Sequence, residues 1–515
     1  MSDPSTPEAF TADIAVVGAG AAGCALAARL SERPGLRVLL IEAGPDYPDP
    51  ESLPAELRSG WRSAGTHDWG YTDEATGGVV ARARLVGGCS ATNGTIALRG
   101  APADYDGWAR LGNPGWSFAE VLPDFRKLET DLDFDDDWHG RHGPVPIRRY
   151  EPKELTPVNA AAFEALTASG FPEVVDHNRP GQIGVGAAPV NTVGGVRMSA
   201  AATYLRQARG RENLRILPDA LVDRILIERG RATGVRLADG RTVRADRVVL
   251  AAGTYGSPAI LLRSGVGPAQ DLAVLGLPCR SHLPGVGANL QEHPGISVIW
   301  PLAAELPDGP RFQVVATQTD PGGAGAEARP GAGAGAGTGA DGSDEAPWLQ
   351  HVPAATPTLF WVSATVMRPR SRGRLRLNSL DPEAAPRIKL NLLEDPADLA
   401  MMIEAVRSAR RVGNQRSLRQ LAGGPEQWLG AGFDDGPGLT DALRRSVWTY
   451  HHACGTCAMG PDPEQGAVVD AQGKVHGVPG LWIADASIMP VIPSGNTHIP
   501  TLMLAEHLAP VIAAE

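Results

Sequence analysis

Cysteine is sparse in this chain. Cys24, Cys89, Cys279, Cys454 and Cys457 are an odd number scattered over a long sequence, which excludes a disulfide framework and leaves reduced thiols. Basic blocks are missing as well. No stretch of Lys or Arg is long enough to form a stripe, and a formal charge of −11 argues against a nucleic-acid partner. There is no run of about 18 apolar residues of the kind that spans a bilayer. The opening segment MSDPSTPEAF holds neither the basic nor the apolar region of a secretory leader. Internal repeats are absent. What remains is the expectation of a cytoplasmic protein with a small-molecule partner, no nucleic acid and no integral membrane segment. At 515 residues the chain exceeds one compact core, and 43% apolar with 20% charged residues lies near globular averages, so most of it folds.

Residues 13–17 read as a buried parallel strand, 21–30 as a helix of small residues and 37–41 as the next strand, a βαβ unit at the start. A further strand-like run, 247–251, precedes a Gly, Ser and Pro turn and a helical stretch over 259–262. Another, 481–484, precedes a turn and a final helix over 501–513. Pieces of one parallel sheet at the start, middle and end imply a discontinuous cofactor domain with a substrate domain inserted between them. The segment 321–347, with its GAGAGAGTGADG core, cannot bury enough apolar surface to offset its ordering entropy and is expected to be a flexible surface loop.

Gly18-Ala19-Gly20-Ala21-Ala22-Gly23 follows the first strand and opens the helix, the context in which a glycine pattern marks a dinucleotide pyrophosphate. Gly18 permits the tight turn, Gly20 lets backbone approach phosphate, and Gly23 allows close helix packing. The helix N-terminus favours an anion. Glu42, ending the second strand, is placed to accept from a ribose hydroxyl, and its acidity disfavours a 2′-phosphate. This unit alone leaves FAD and NAD both open.

Four longer motifs narrow the choice. Arg84-Leu85-Val86-Gly87-Gly88-Cys89-Ser90-Ala91-Thr92-Asn93-Gly94 is followed by Arg99-Gly100 and Asp104-Tyr105-Asp106-Gly107-Trp108. Gly253-Thr254-Tyr255-Gly256-Ser257-Pro258 is followed by Leu261-Leu262 and Ser264-Gly265-Val266-Gly267. Pro284-Gly285-Val286-Gly287-Ala288-Asn289-Leu290 leads to Glu292-His293-Pro294, and Pro369-Arg370-Ser371-Arg372-Gly373-Arg374 to Leu377, Pro382, Pro386 and Asn391. In this order they resemble the glucose/methanol/choline (GMC) oxidoreductases over nearly the whole chain. The resemblance implies FAD, and an α/β Rossmann-like FAD-binding domain over 11–155, 200–295 and 450–515. The inserted substrate-binding domain, over 156–199 and 296–449, would be α+β, built on an antiparallel sheet with helices. It implies cofactor contacts from Gly18, Gly20, Ala21, Ala22, Gly23, Glu42, Ala43 and Trp69, and from Val86, Gly87, Asn93, Gly94, Thr95 and Val222. Ala252, Gly253, Asp485, Ala486, Pro500 and Thr501 complete that set. Gly87 and Gly88 make sense where backbone lies against a flat isoalloxazine ring. Thr92 stands where some relatives carry a His bonded to the flavin, and Thr cannot form that bond, so noncovalent FAD is expected.

Tyr450-His451-His452-Ala453-Cys454-Gly455-Thr456 resembles the family's HxxGT motif, in which the His three residues before Gly faces flavin N5; that residue is His452. Asp485-Ala486-Ser487 and Gly495-Asn496-Thr497-His498-Ile499-Pro500-Thr501 match the segment carrying the second catalytic residue, here His498. A lone His is more often structural, and the two motifs reverse that reading. Oxidising an alcohol means losing a hydroxyl proton while hydride leaves the same carbon, and a neutral imidazole suits the proton. His452 is assigned as base and His498 as the group that orients substrate and stabilises the alkoxide. Cys454 and Cys457 have CxxC spacing, but the residues between them belong to HxxGT, so neither a redox dithiol nor a metal is expected. The run 368–376 reads as a strand with a solvated Arg face, and Trp69 and Trp108 as core more than cofactor stackers, although Trp69 lies where relatives approach FAD.

The expected reaction is oxidation of an alcohol to aldehyde or ketone, with oxygen or another electron acceptor reoxidising the flavin. A lyase or decarboxylase on the same fold is the alternative that the histidine pair argues against. Residues 125–134 from Phe125 to Phe134, His139-Gly140, residues 143–149 from Gly143 to Arg149, and Gly184-Val185-Gly186-Ala187 with Gly195-Val196-Arg197 also look like the mycofactocin-associated dehydrogenases, which pass electrons to a respiratory acceptor.

Overall fold

The computed structural model describes residues 9–49, 51–319, 346–430, 433 and 437–515. All but the last two residues of the segment 321–347, read above as a surface loop, lie outside the described residues.

The first sheet grows from strands that are apolar on both faces. Ile14, Ala15 and Val16 are fully buried, as is nearly all of Val38–Ile41, so both need covering layers above and below. Leu214–Leu217, Val38–Ile41, Ala9–Val17 and Thr242–Leu250 lie side by side, all parallel. The carboxyl half of Thr242–Leu250 pairs with Leu481–Ile483, also parallel, while its amino half turns to an antiparallel edge of Arg231–Leu237 and Val222–Glu228. That amino half pairs Thr242–Ala245 with Ala9–Ala12, which is why the first strand starts four residues before its apolar run. Ala21–Leu30 forms the expected helix, and its small residues let His498–Ala514 pack closely against it. Among the described residues no helix is long and apolar enough to cross a membrane.

The second sheet is antiparallel throughout, in the order Trp448–Thr449, Pro294–Pro301, Leu359–Val366, Leu349–Ala355, Val314–Gln318, Val185–Ala187. Period-two alternation divides its faces. Ile296, Val298, Trp300, Phe360, Val362 and Ala364 point into a second core beneath the helices Pro157–Ala168 and Pro396–Gly413. Trp300 enters that core only because residue 413 is glycine, where a Cβ would lie 2.0 Å from its ring. Ser297, Trp361 and Ser363 take the opposite face and line the cavity described below. Leu375, Ile388 and Leu390 sink into the first core, although they lie in a segment read as substrate-binding. Of the run 368–376 only Arg374–Arg376 is a strand, alternating exposed Arg with buried Leu375. Trp108 is fully buried and donates to the Val491 carbonyl, whereas Trp69 is half-buried beneath the Arg84 guanidinium.

A buried ion cluster gathers charged residues from positions 99 to 176. His139 sits between Asp131 (3.0 Å), Glu129 (3.2 Å) and Asp176 (3.0 Å), while Arg149 bonds Asp131 and Asp176, and Arg99 bonds Glu129. Three carboxylates face two guanidiniums and one imidazole, so the cluster is neutral when His139 is charged. Burial opposes that charge, but the hydrogen bonds that the ring donates to Asp131, Asp176 and Glu129 outweigh it and raise the His139 pKa to about 10. Its stabilising contribution is therefore full below about pH 6.5 and is lost as pH rises through about 10. His139→Leu is expected to cost about 3–5 kcal/mol in chemical unfolding at neutral pH, the scale for removing one partner of a buried pair. The deficit should shrink above about pH 10.

Candidate active site

The parallel strands end at Val17, Ile41, Leu250 and Ile483, and a cavity of about 680 Å³ opens at those carboxyl ends. Gly18 makes the turn at φ +97°, and a Cβ there would lie 2.6 Å from the Ala251 carbonyl. At Gly23 a Cβ would lie 1.8 Å from the Gly18 carbonyl, so the helix can seat on the loop only with glycine there. Gly20 differs. No protein atom lies within 4 Å of its Cβ position, and the helix that it precedes has no side-chain cap. The first free N–H groups therefore border open space, a cradle for an anion.

Ala21, Ala22, Ala43, Trp69, Asn93, Gly94, Thr95, Val222, Ala252, Gly253, Ala486 and Thr501 all line this cavity with Gly18, Gly20, Glu42 and Asp485. Gly23, Val86, Gly87 and Pro500 do not; they stand behind its wall. Gly87 donates its N–H to the Ala19 carbonyl (2.7 Å), and Val86 to that of Pro45 (3.0 Å). Gly88 itself lines the cavity, and a Cβ there would meet Gly20 Cα at 2.6 Å, so the approaching glycine loop requires glycine at 88, whereas Gly87 turns at φ +104° in the left-handed region that favours glycine. Pro500 sits in the first turn of His498–Ala514, where no N–H is missed. Glu42 accepts the N–H groups of Ala19 (2.8 Å) and Gly44 (3.0 Å), bracing the loop as well as facing the cavity, and burial pushes its pKa up to about 7. Asp485 accepts from Gly253 N–H (2.9 Å) and Ser257 hydroxyl (2.6 Å), joining segments far apart in the chain.

His452 and His498 line the same cavity. The backbone places the first of them by register. Gln291 and Cys454 exchange N–H···O bonds of 3.0 Å in an antiparallel bridge, which sets position 293 opposite position 452. Gly455 allows this approach, since a Cβ would lie 2.5 Å from the Asn289 carbonyl. His452 Nδ1 lies 3.0 Å from His293 Nδ1, and His452 Nε2 lies 3.1 Å from the Asn496 amide nitrogen. His293 Nε2 lies 3.1 Å from the Met367 carbonyl. The Glu292 carboxylate accepts the N–H groups of both histidines (2.9 and 2.8 Å) and the Thr449 hydroxyl (2.6 Å). Burial first, then the neighbouring His293, His451 and Arg82, hold the His452 pKa well below 6.5. Burial lowers His498 to about 4, and its Nε2 is buried without a partner.

Glu292, His293 and Asn496 are the residues whose part sequence reasoning missed. They stand inside motifs already noted, but nothing local shows that they meet His452 across 160, 159 and 44 positions. Cys454 and Cys457 are fully buried, and burial raises both thiols, the opposite of a reactive dithiol. Among the described residues, the grouping with metal-ligand potential is Glu129, Asp131 and His139, whose charge Arg99 and Arg149 already balance.

The GMC oxidoreductase family matches this chain at residues 12–295 and again at 369–505. The chain is similar to the 5-(hydroxymethyl)furfural oxidase of Methylovorus sp. (strain MP688), 37% identical over 98% of this chain and 99% of that protein. An oxygen-dependent choline dehydrogenase of Rhizobium etli is 34% identical over 97% of this chain and 95% of its own. Among solved structures, pyridoxine 4-oxidase from Mesorbium loti superposes with a TM-score of 0.86 at 31% identity, over 97% of this chain and 99% of that one.

The cradle at Gly20 can be tested by filling it. Gly20→Leu meets no protein atom at its Cβ, so the variant should fold with the thermal midpoint of flavin-stripped wild type yet purify without flavin colour. Retained flavin, or failure to fold, would count against the cradle.

Proposed function

The chain belongs to the GMC oxidoreductase family, FAD-dependent enzymes that act on CH–OH groups, and from that premise we propose that it oxidises an alcohol with His452 as base. One observation carries this reading: the glycine cradle and two buried imidazoles share a single cavity. FAD fits the residues present. Gly20 leaves room for a pyrophosphate at an uncapped helix end, Glu42 has lone pairs left for a ribose hydroxyl, and Asn93, Gly94 and Thr95 border the same space. Thr92 offers no ring nitrogen for a covalent bond, so FAD is held noncovalently. When bound, FAD supplies the hydride acceptor.

The protein's own task is the proton. His452 is neutral because burial disfavours its cation, and Asn496 Nδ2 marks the direction of the Nε2 lone pair. An alcohol hydroxyl that takes the place of the Asn496 amide beside Nε2 gives its proton to that nitrogen, and the unpartnered His498 Nε2 is available to hold the same oxygen. The substrate's body faces Phe312, Val352, Trp361, Trp448 and Tyr450, with Ser297 and Ser363 hydrogen-bonded to each other at 3.0 Å. These apolar, uncharged walls suit a hydroxymethyl group on a flat ring, and two of the similar proteins are named for such compounds.

Anaerobic mixing with a panel of alcohols should bleach the wild-type flavin, and reoxidation with and without oxygen identifies the acceptor. His452→Ala should keep its flavin and lose about 10²-fold or more in bleaching rate. No bleaching by any alcohol, or an unimpaired folded variant, would overturn the reading. The depressed pKa also has a sign: His452 stays neutral as pH falls through 6.5, so wild-type bleaching should not lose rate there from protonation of this group. A decline with a midpoint near pH 6.5 that disappears in His452→Ala would contradict it.

A further inference from the structure

We infer that His293 is a positioning residue that fixes the tautomer of His452, leaving Nε2 bare toward the substrate. The inference rests on the reading of His452 as base, and it follows from counting hydrogens along one chain of contacts. At one end, the Met367 carbonyl can only accept, so the nitrogen 3.1 Å from it, His293 Nε2, carries a hydrogen. A neutral imidazole has one N–H, which leaves His293 Nδ1 as an acceptor. At the other end, the Asn496 amide nitrogen can only donate, so His452 Nε2, 3.1 Å away, is an acceptor and His452 carries its single hydrogen on Nδ1. The two Nδ1 atoms, 3.0 Å apart, then share one hydrogen, donated by His452 and accepted by His293. The Met367 carbonyl sets the assignment, and the Asn496 amide, turned with its nitrogen toward His452 Nε2, matches it.

The surroundings keep it so. His293 is fully buried and its ring stands at 88° to that of His452, with centroids 5.2 Å apart, so neither ring can turn without losing a bond that water cannot replace. Glu292 holds both backbone N–H groups. When the alcohol O–H bond breaks and an N–H bond forms at His452 Nε2, the Nδ1–H still donates to His293, so the new imidazolium loses no partner. The arrangement parallels an orienting carboxylate beside a catalytic histidine, but with a neutral acceptor. A carboxylate there would hold a proton on His452 more tightly; a neutral nitrogen orients the ring without adding charge.

Two variants of the FAD-loaded enzyme separate this role from packing. His293→Asn keeps an acceptor near the place of Nδ1, whereas His293→Leu fills the space without one. Anaerobic bleaching by a saturating alcohol should fall by about 10-fold or more in the Leu variant with little change in KM, and the Asn variant should recover most of the rate. Neutron diffraction on deuterium-exchanged wild-type crystals should show deuterium on His452 Nδ1 and His293 Nε2 and none on His452 Nε2. Deuterium on His452 Nε2, a Leu variant as fast as wild type, or equal losses in both variants would overturn the inference. If no alcohol bleaches the wild-type protein, the assignment of His452 as base fails, while the neutron map still decides the tautomer.

Discussion

Backbone meets backbone where the cavity begins, and the architecture depends on that contact being possible. Gly18 turns against Ala251, Gly23 lies on the Gly18 carbonyl, and Gly88 presses on Gly20, each at a distance that excludes a Cβ. Three segments widely separated in sequence are thereby locked around one helix N-terminus, with Glu42 tying the loop from below through Ala19. A single added methyl would separate these segments and move the walls of the cavity. The parallel sheet supplies the platform, and side-chain-free packing sets the shape of what stands on it.

At the far wall the controlling factor is desolvation. Buried in a chamber lined by Tyr450, Trp448 and the second sheet, His452 is kept neutral and can act as a proton acceptor, and its Nδ1 finds a partner in His293. The second sheet contributes by its alternation: one face builds its own core around Trp300 and Phe360, and the other presents Ser297, Trp361 and Ser363 to the cavity. Its short strand Trp448–Thr449 leads directly into the turn that carries His452, so the placement of that imidazole and the shape of the adjoining cavity wall are set by the same strand pairings.

Much of this was legible in the sequence because it is written locally. The βαβ unit follows from apolar runs and small residues around Gly18, and the helix Ala21–Leu30 begins and ends where its pattern does. His452 and His498 stood out because their motifs carry them, and the cavity brings both to one surface. What was not legible depends on register between distant segments. That His293 faces His452 follows from the bridge between Gln291 and Cys454, which no local pattern reveals. The need for Gly88 was visible, but its cause, the approach of Gly20, was not. Glu42 read as a ribose contact, and its grip on Ala19 emerged only from the fold.

In the proposed reaction this cavity takes a proton and a carbon-bound hydrogen from the same CH–OH group. Its most direct test is the isotope effect on anaerobic flavin bleaching with an alcohol deuterated at the α-carbon. Bleaching should slow several-fold with the deuterated alcohol at saturating concentration. Equal rates for the two isotopologues, across alcohols that do bleach the flavin and with alcohol binding shown to be fast, would contradict it.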